Sequence, residues 1–233
     1  HTPRRRQRQM CIRDRINSVK PNLIVSDSRG AWFRATILFT LALIGTVGMW
    51  SVVVFIPDIE KEFGLDRGTS SLLYAFTMIG FGFGTVVIGK VYDKFGIKKP
   101  ILLATFVLIT SYYFYSIFPF YWQFLILQFF MGFAASAFFG PAMADISNFF
   151  NKQRGFALSI VASANYVAGA TWPLLIGYFL TFIDWRAAHF WISICLFIMI
   201  PLILLLKNAS VDENKSHDMK QRYRDIRLDL SNN

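Results

Sequence analysis

One carboxylate stands among four lysines in the stretch GKVYDKFGIKKP, residues 89–100. At a helix end, Asp93 can accept backbone N–H bonds from the N-terminus of a neighbouring helix, where the dipole favours an anion. Gly89, one turn earlier, would let that neighbour approach. Gly96 suits a backbone turn that needs positive φ, and Pro100 suits a helix start. The lysines fit the cytoplasmic end of a turn between two membrane helices. Elsewhere the polar groups inside apolar stretches are few, and their spacing is helical. Gln128, Gly132, Ser136 and Gly140 recur every four residues. Ser159, Ser163, Tyr166, Ala170, Pro173 and Gly177 form a second stripe, with Asn165 and Trp172 on a neighbouring face. No His-Glu-x-x-His, no Gly-x-Ser-x-Gly and no intramembrane His/Asp/Glu cluster is present. That speaks against an enzyme, and neither a metal nor another cofactor is expected. No Asp, Glu, Lys or Arg is expected well inside a span. His189 is read as a peripheral packing or interfacial histidine, so no proton relay is placed.

Composition fixes the elements that must carry these residues. The chain of 233 residues is 55% hydrophobic with 25 phenylalanines, and its mean hydropathy is +0.43. A single small core could not hide that much apolar surface. Six apolar runs, near 32–57, 69–88, 100–119, 121–144, 155–182 and 186–206, are each long enough to cross a hydrocarbon core of ~30 Å as a helix. The net charge of +10 lies in turns and tails rather than on a nucleic-acid-binding face, and no nucleic-acid partner is expected. The turn at 58–68 is net −2 and that at 90–99 is net +3, while Lys152 and Arg154 mark the turn before the fifth run. Alternate turns are basic, which puts them and both termini in the cytoplasm. The expected fold is an all-α, multi-pass integral membrane protein. Glycine usage repeats over the two sets of three runs, moderate, rich and absent, as in a nested three-plus-three repeat. The glycine-free third and sixth runs are expected outermost, against lipid.

The motif of Gly89, Asp93, Lys94, Gly96, Lys98 and Lys99 resembles the signature loop of the major facilitator superfamily of secondary transporters. Arg154, Gly155 and Ala157 match a second common loop of that family. The stretch 127–160, Trp172-Pro173 and residues 184–188 look most like monocarboxylate and oxalate–formate carriers. The resemblance covers 32–206, half of a typical twelve-helix member. It implies six transmembrane helices as two three-helix repeats, the N-terminal half of the transporter fold. The implied function is secondary transport of a small organic solute, such as a monocarboxylate or another organic anion, by alternating access. The first and fourth helices of this family line the central cavity, and the second and fifth meet the other half. Trp50, Ser51, Gln128, Asn165 and Tyr166 are therefore candidates for touching solute, with helix–helix packing as the competing role. Many members carry arginine where Gln128 stands, and Gln128 cannot act as a cation. The expected partners are the solute, the lipid bilayer and a second six-helix half, or a second copy in a homodimeric carrier. A channel is disfavoured because no charged ring or filter-like loop is present. The resemblance suggests a prokaryotic inner membrane.

The ends read differently. Residues 1–15, HTPRRRQRQMCIRDR, resemble a transposase adapter used in sequencing libraries, translated in frame, and are set aside as an artefact. Residues 16–31 form a short cytoplasmic lead, and 207–233 the start of a polar central cytoplasmic loop. Without the adapter-like segment only Cys195 remains of the two cysteines, so no disulfide framework is expected.

Overall fold

A computed structural model describes residues 27–206. The adapter-like segment, most of the lead and the whole polar tail lie outside the described residues. Six helical spans are long and apolar enough to cross a membrane: Arg29–Phe63, Arg67–Phe95, Lys98–Ile117, Tyr121–Phe149, Arg154–Phe179 and Trp185–Leu205. No strand occurs among the described residues.

Several spans outrun their apolar stretches. The first begins at Arg29, inside the expected lead, with Ser28 capping the amide of Ala31. It continues through Asp58, Glu60 and Glu62 to Phe63, so most of the expected acidic turn is helix. Polarity alone does not stop a helix, and Glu and Lys are good helix formers. The chain turns where Gly64 takes φ 62°, and Asp66 then caps the second span through the amides of Gly68 and Thr69. Hydrogen bonds from Thr69 hold the Asp66 carboxyl below the usual carboxylate range. The second span likewise runs past Gly89 and Asp93 to Phe95 and ends at Gly96, φ 72°. Gly89 and Asp93 are thus helical residues, and the turn itself is only two residues long.

The first and fourth spans are interrupted partway along. The first breaks at Thr46, between helices Arg29–Gly45 and Val47–Phe63. The fourth passes through a 3₁₀ turn, Ser136–Phe138, and restarts as Gly140–Phe149 with Pro141 in its first turn. These spans hold equivalent places in the two triplets. The breaks adjoin each other: a side chain added at Gly45 would run into the ring of Phe138. The sixth span also has a 3₁₀ turn, Leu196–Ile198.

The second and fourth spans pack backbone to backbone. A Cβ at Gly80 would collide with the carbonyl of Phe129, and one at Gly132 with the carbonyl of Thr77. Such close approach replaces the hydrophobic drive that helices lack in lipid. Near the acidic end, His189 is fully buried rather than peripheral. Its ring stacks on Tyr115 at 4.4 Å and lies 4.0 Å from Phe55, with Nδ1 2.7 Å from the Trp185 carbonyl.

Candidate functional site

The candidate solute-facing residues separate into two groups. Ser51 and Gln128 turn into the bundle and are buried there. Ser51 Oγ lies 2.6 Å from the Tyr112 hydroxyl. Gln128 accepts from Thr77 Oγ1 at 2.9 Å and donates to the Tyr115 hydroxyl at 3.3 Å. With these partners both residues serve as interhelical bonds in this arrangement, and neither presents a free polar group to a cavity.

Trp50 and Asn165 meet between the first and fifth spans. Trp50 donates its indole N–H to Asn165 Oδ1 at 3.1 Å, linking the first and fifth spans. Gly169 makes room for that ring, since an added Cβ would sit 3.0 Å from it. Tyr166 follows Asn165 in sequence and is 71% exposed, a high value for a residue in mid-helix. Trp172, one turn beyond Gly169, donates in turn to the Leu43 carbonyl at 2.8 Å. The arrangement offers two aromatic faces, an amide and a phenol, and no charge.

At the basic end the motif residues stand as follows. Asp93 is exposed and bonded by no described residue. Gly89 faces open space, with nothing within 4 Å of an added Cβ. Lys94 and Lys99 lie over the ring of Phe95 at 5.2 and 4.5 Å, a cation–π arrangement that keeps both beside the turn. Lys98 opens the third span. Arg154 and Gly155 open the fifth and are exposed, whereas Ala157 is buried.

Two features here escaped the sequence reading. The first is a buried ion pair near the ends of the first and fourth spans. Arg34 of the first span grips Asp145 of the fourth through Nε to Oδ2 at 2.6 Å and Nη2 to Oδ1 at 2.9 Å. Arg34 is 4% and Asp145 5% exposed, and the guanidinium also lies 4.6 Å above the Phe149 ring. Asp145 falls just past the expected end of the fourth run, although Pro141, Ala142, Asp145, Ile146 and Phe149 recur on one buried helical face. The second feature is Asp27. Its carboxylate accepts the backbone N–H groups of Asn151, Lys152 and Gln153 at 3.1–3.3 Å, and its own N–H donates to the Phe149 carbonyl. The Lys152 amide, with smaller help from the other two, holds the Asp27 carboxyl below the usual range. Trp32 packs edge-on against Phe150, 4.9 Å away. The start of the first span is thus fastened to the turn that carries the Arg154 motif. Among the described residues no group of three His, Cys, Asp or Glu could hold a metal.

Comparison with known proteins decides the family. The profile described as Major Facilitator Superfamily matches residues 38–229. The chain belongs to the Major Facilitator Superfamily. Members of this superfamily are transporters, not enzymes. The chain is 28% identical to an MFS-type transporter, pynF, of Aspergillus niger over 63% of its own length and 34% of that protein's. It is 26% identical to the agnestins efflux protein AgnL12 of Paecilomyces divaricatus over 64% of its length and 35% of that protein's. The inner membrane transport protein YnfM of Escherichia coli is 24% identical, over 75% of this chain and 42% of that protein. The chain therefore spans less than half the length of these curated relatives. As a superfamily member it is a multi-pass membrane protein, with six spans among the described residues.

Proposed function

We propose that this chain forms one six-helix half of a secondary carrier that moves a small organic solute by alternating access. The observation that carries this is the bond between Trp50 and Asn165 across the first and fifth spans, with Tyr166 exposed next to Asn165 on the fifth. Flat aromatic faces with one amide suit a solute bound by stacking and neutral hydrogen bonds. Gly89, Asp93, Lys94, Gly96, Lys98 and Lys99 form the contact made and broken between two conformations, and Arg154, Gly155 and Ala157 shape the adjoining turn. The second half, or a second copy, covers Gly89 and Asp93 when the carrier faces outward. The basic turns and both termini face the cytoplasm, as the charge asymmetry favours. A monocarboxylate, the solute suggested by the finer resemblance, would need its counter-charge from outside this site, because Trp50, Asn165 and Tyr166 carry none. Two relatives are named as efflux proteins, of agnestins and of fujikurins, which favours export as the working direction.

Transport measured in both directions in vesicles holding the complete carrier tests the site. Solutes should include labelled monocarboxylates and neutral aromatic compounds. Asn165→Ala or Tyr166→Ala should lower the rate by tenfold or more at matched membrane levels. Phe106→Ala, exposed on the third span, should leave it unchanged. Rates equal to wild type in both site variants would remove these residues from the solute path.

A further inference from the structure

We propose that Trp172 is a positioning residue, whose indole holds the break in the first span and so sets how Trp50 lies across the fifth. The role rests on the reading of Trp50 and Asn165 as solute-facing. Leu43 stands in the last turn of helix Arg29–Gly45, where carbonyls lack an intrahelical partner. Such a carbonyl needs a donor from outside its own helix. Trp172 meets it with an N–H at 2.8 Å. From within the span, Thr46 turns both its amide and its hydroxyl to the Ala42 carbonyl, at 3.1 and 2.8 Å. From the fourth span, Phe138 fills the space above Gly45. Three contacts thus meet at the break, from the first, fourth and fifth spans, and Trp172 supplies the one from the fifth.

Trp50 lies one turn beyond the break. It rests on Gly169 and donates to Asn165. Asn165, Gly169 and Trp172 sit at i, i+4 and i+7 of one uninterrupted helix, and hence on one face. One helical face thus supports the helix before the break through Leu43 and the helix after it through Trp50. The two indole bonds run in opposite directions between the same two spans. Loss of the Trp172 bond frees the first helix end to seek another donor, and the direction of Trp50 changes with it. Phenylalanine at position 172 keeps an aromatic ring, smaller than the indole, and removes the N–H.

The test uses the chain in lipid nanodiscs with ¹⁵N-labelled tryptophan, which gives six indole N–H resonances. Single replacements of Trp32, Trp50, Trp122, Trp185 and Trp191 by Phe assign them, Trp172 by elimination. In Trp172→Phe the Trp50 resonance should move and its hydrogen exchange should quicken at least tenfold, while helical circular dichroism stays as in wild type. Asn165→Leu should move Trp50 but leave Trp172 in place. A Trp50 resonance unchanged in position and exchange in Trp172→Phe would overturn the role. Should that variant not insert, wild-type exchange decides: Trp172 must exchange far more slowly than Trp122, which is 59% exposed, and equal rates would overturn it. No solute enters this measurement, so its outcome is independent of the transport assay. Unchanged transport in Asn165→Ala would remove the solute path, not the Trp172 contact.

Discussion

The Arg34–Asp145 pair joins two spans by side chains 111 residues apart, with both charges almost wholly removed from solvent. Desolvating two ions is costly, and mutual attraction with bidentate geometry returns that cost only while both partners stay in place. Removing one partner is the damaging change, because the other is left charged and buried. Asp145→Asn should therefore lower unfolding stability by about 3–5 kcal/mol. The double variant Arg34→Met/Asp145→Leu should recover most of the loss, since an apolar pair of similar volume is often neutral or better. Thermal or denaturant unfolding of purified protein, both singles beside the double, checks the difference. A single variant as stable as wild type would mean that the pair is solvated in the membrane. Neither partner was legible as a pair in the sequence. Arg34 reads as part of the basic flank and Asp145 as the first residue after a run, and nothing in one dimension says that the two ends meet. Asp27 was hidden for a similar reason, because its partners are backbone amides, which carry no residue signature.

At the scale of elements, the existence of six spans was legible because run length is set by the thickness of hydrocarbon. Their ends were less so, because helices continue into polar sequence until a residue such as Gly64 or Gly96 takes positive φ. The break at Thr46 follows a single glycine, Gly45, and tertiary contacts with Trp172 and Phe138 support it, whereas that at Ser136–Phe138 precedes Gly140-Pro141, where proline has no N–H to continue the helix. Glycine content pointed to close packing but not to which glycines do it. The structure separates them. Gly80 and Gly132 press on opposing carbonyls, whereas Gly82 and Gly89 face open space. Alanine at Gly80 or Gly132 should cost about 1–3 kcal/mol by overpacking against backbone that cannot step aside. Alanine at Gly82 should be neutral or gain up to about 1 kcal/mol, the helix preference of alanine over glycine. Unfolding of the variants in one detergent compares them directly. Equal losses at Gly80 and Gly82 would show that the second and fourth spans are not in backbone contact.

At the scale of the proposed carrier, the contact to test lies at the basic end of this chain. Asp93 is exposed and without a bonded partner at the end of the second span, and Gly89 leaves a smooth surface one turn before it. In the proposed carrier a helix N-terminus from a second half would set its amides toward that carboxylate. Such a contact biases one of two conformations only by the difference in free energy that it contributes. A charge at a helix terminus contributes about 0.3–1 kcal/mol when exposed and up to ~2 when partly buried. Asp93→Asn keeps the size and removes the charge, so it should shift the balance away from the outward-facing state by roughly two- to thirtyfold. Transport in the complete carrier should fall while membrane level and helical content hold, because Trp50 and Asn165 lie away from this end. Asp58→Asn, in the last turns of the first span at the opposite end, serves as the control and should change little. Lys94 and Lys99 stay beside Phe95 in either variant, so the turn itself keeps its shape. If Asp93→Asn transports as wild type does, the motif works here only as a turn that sets topology, and the switch between conformations must be sought elsewhere.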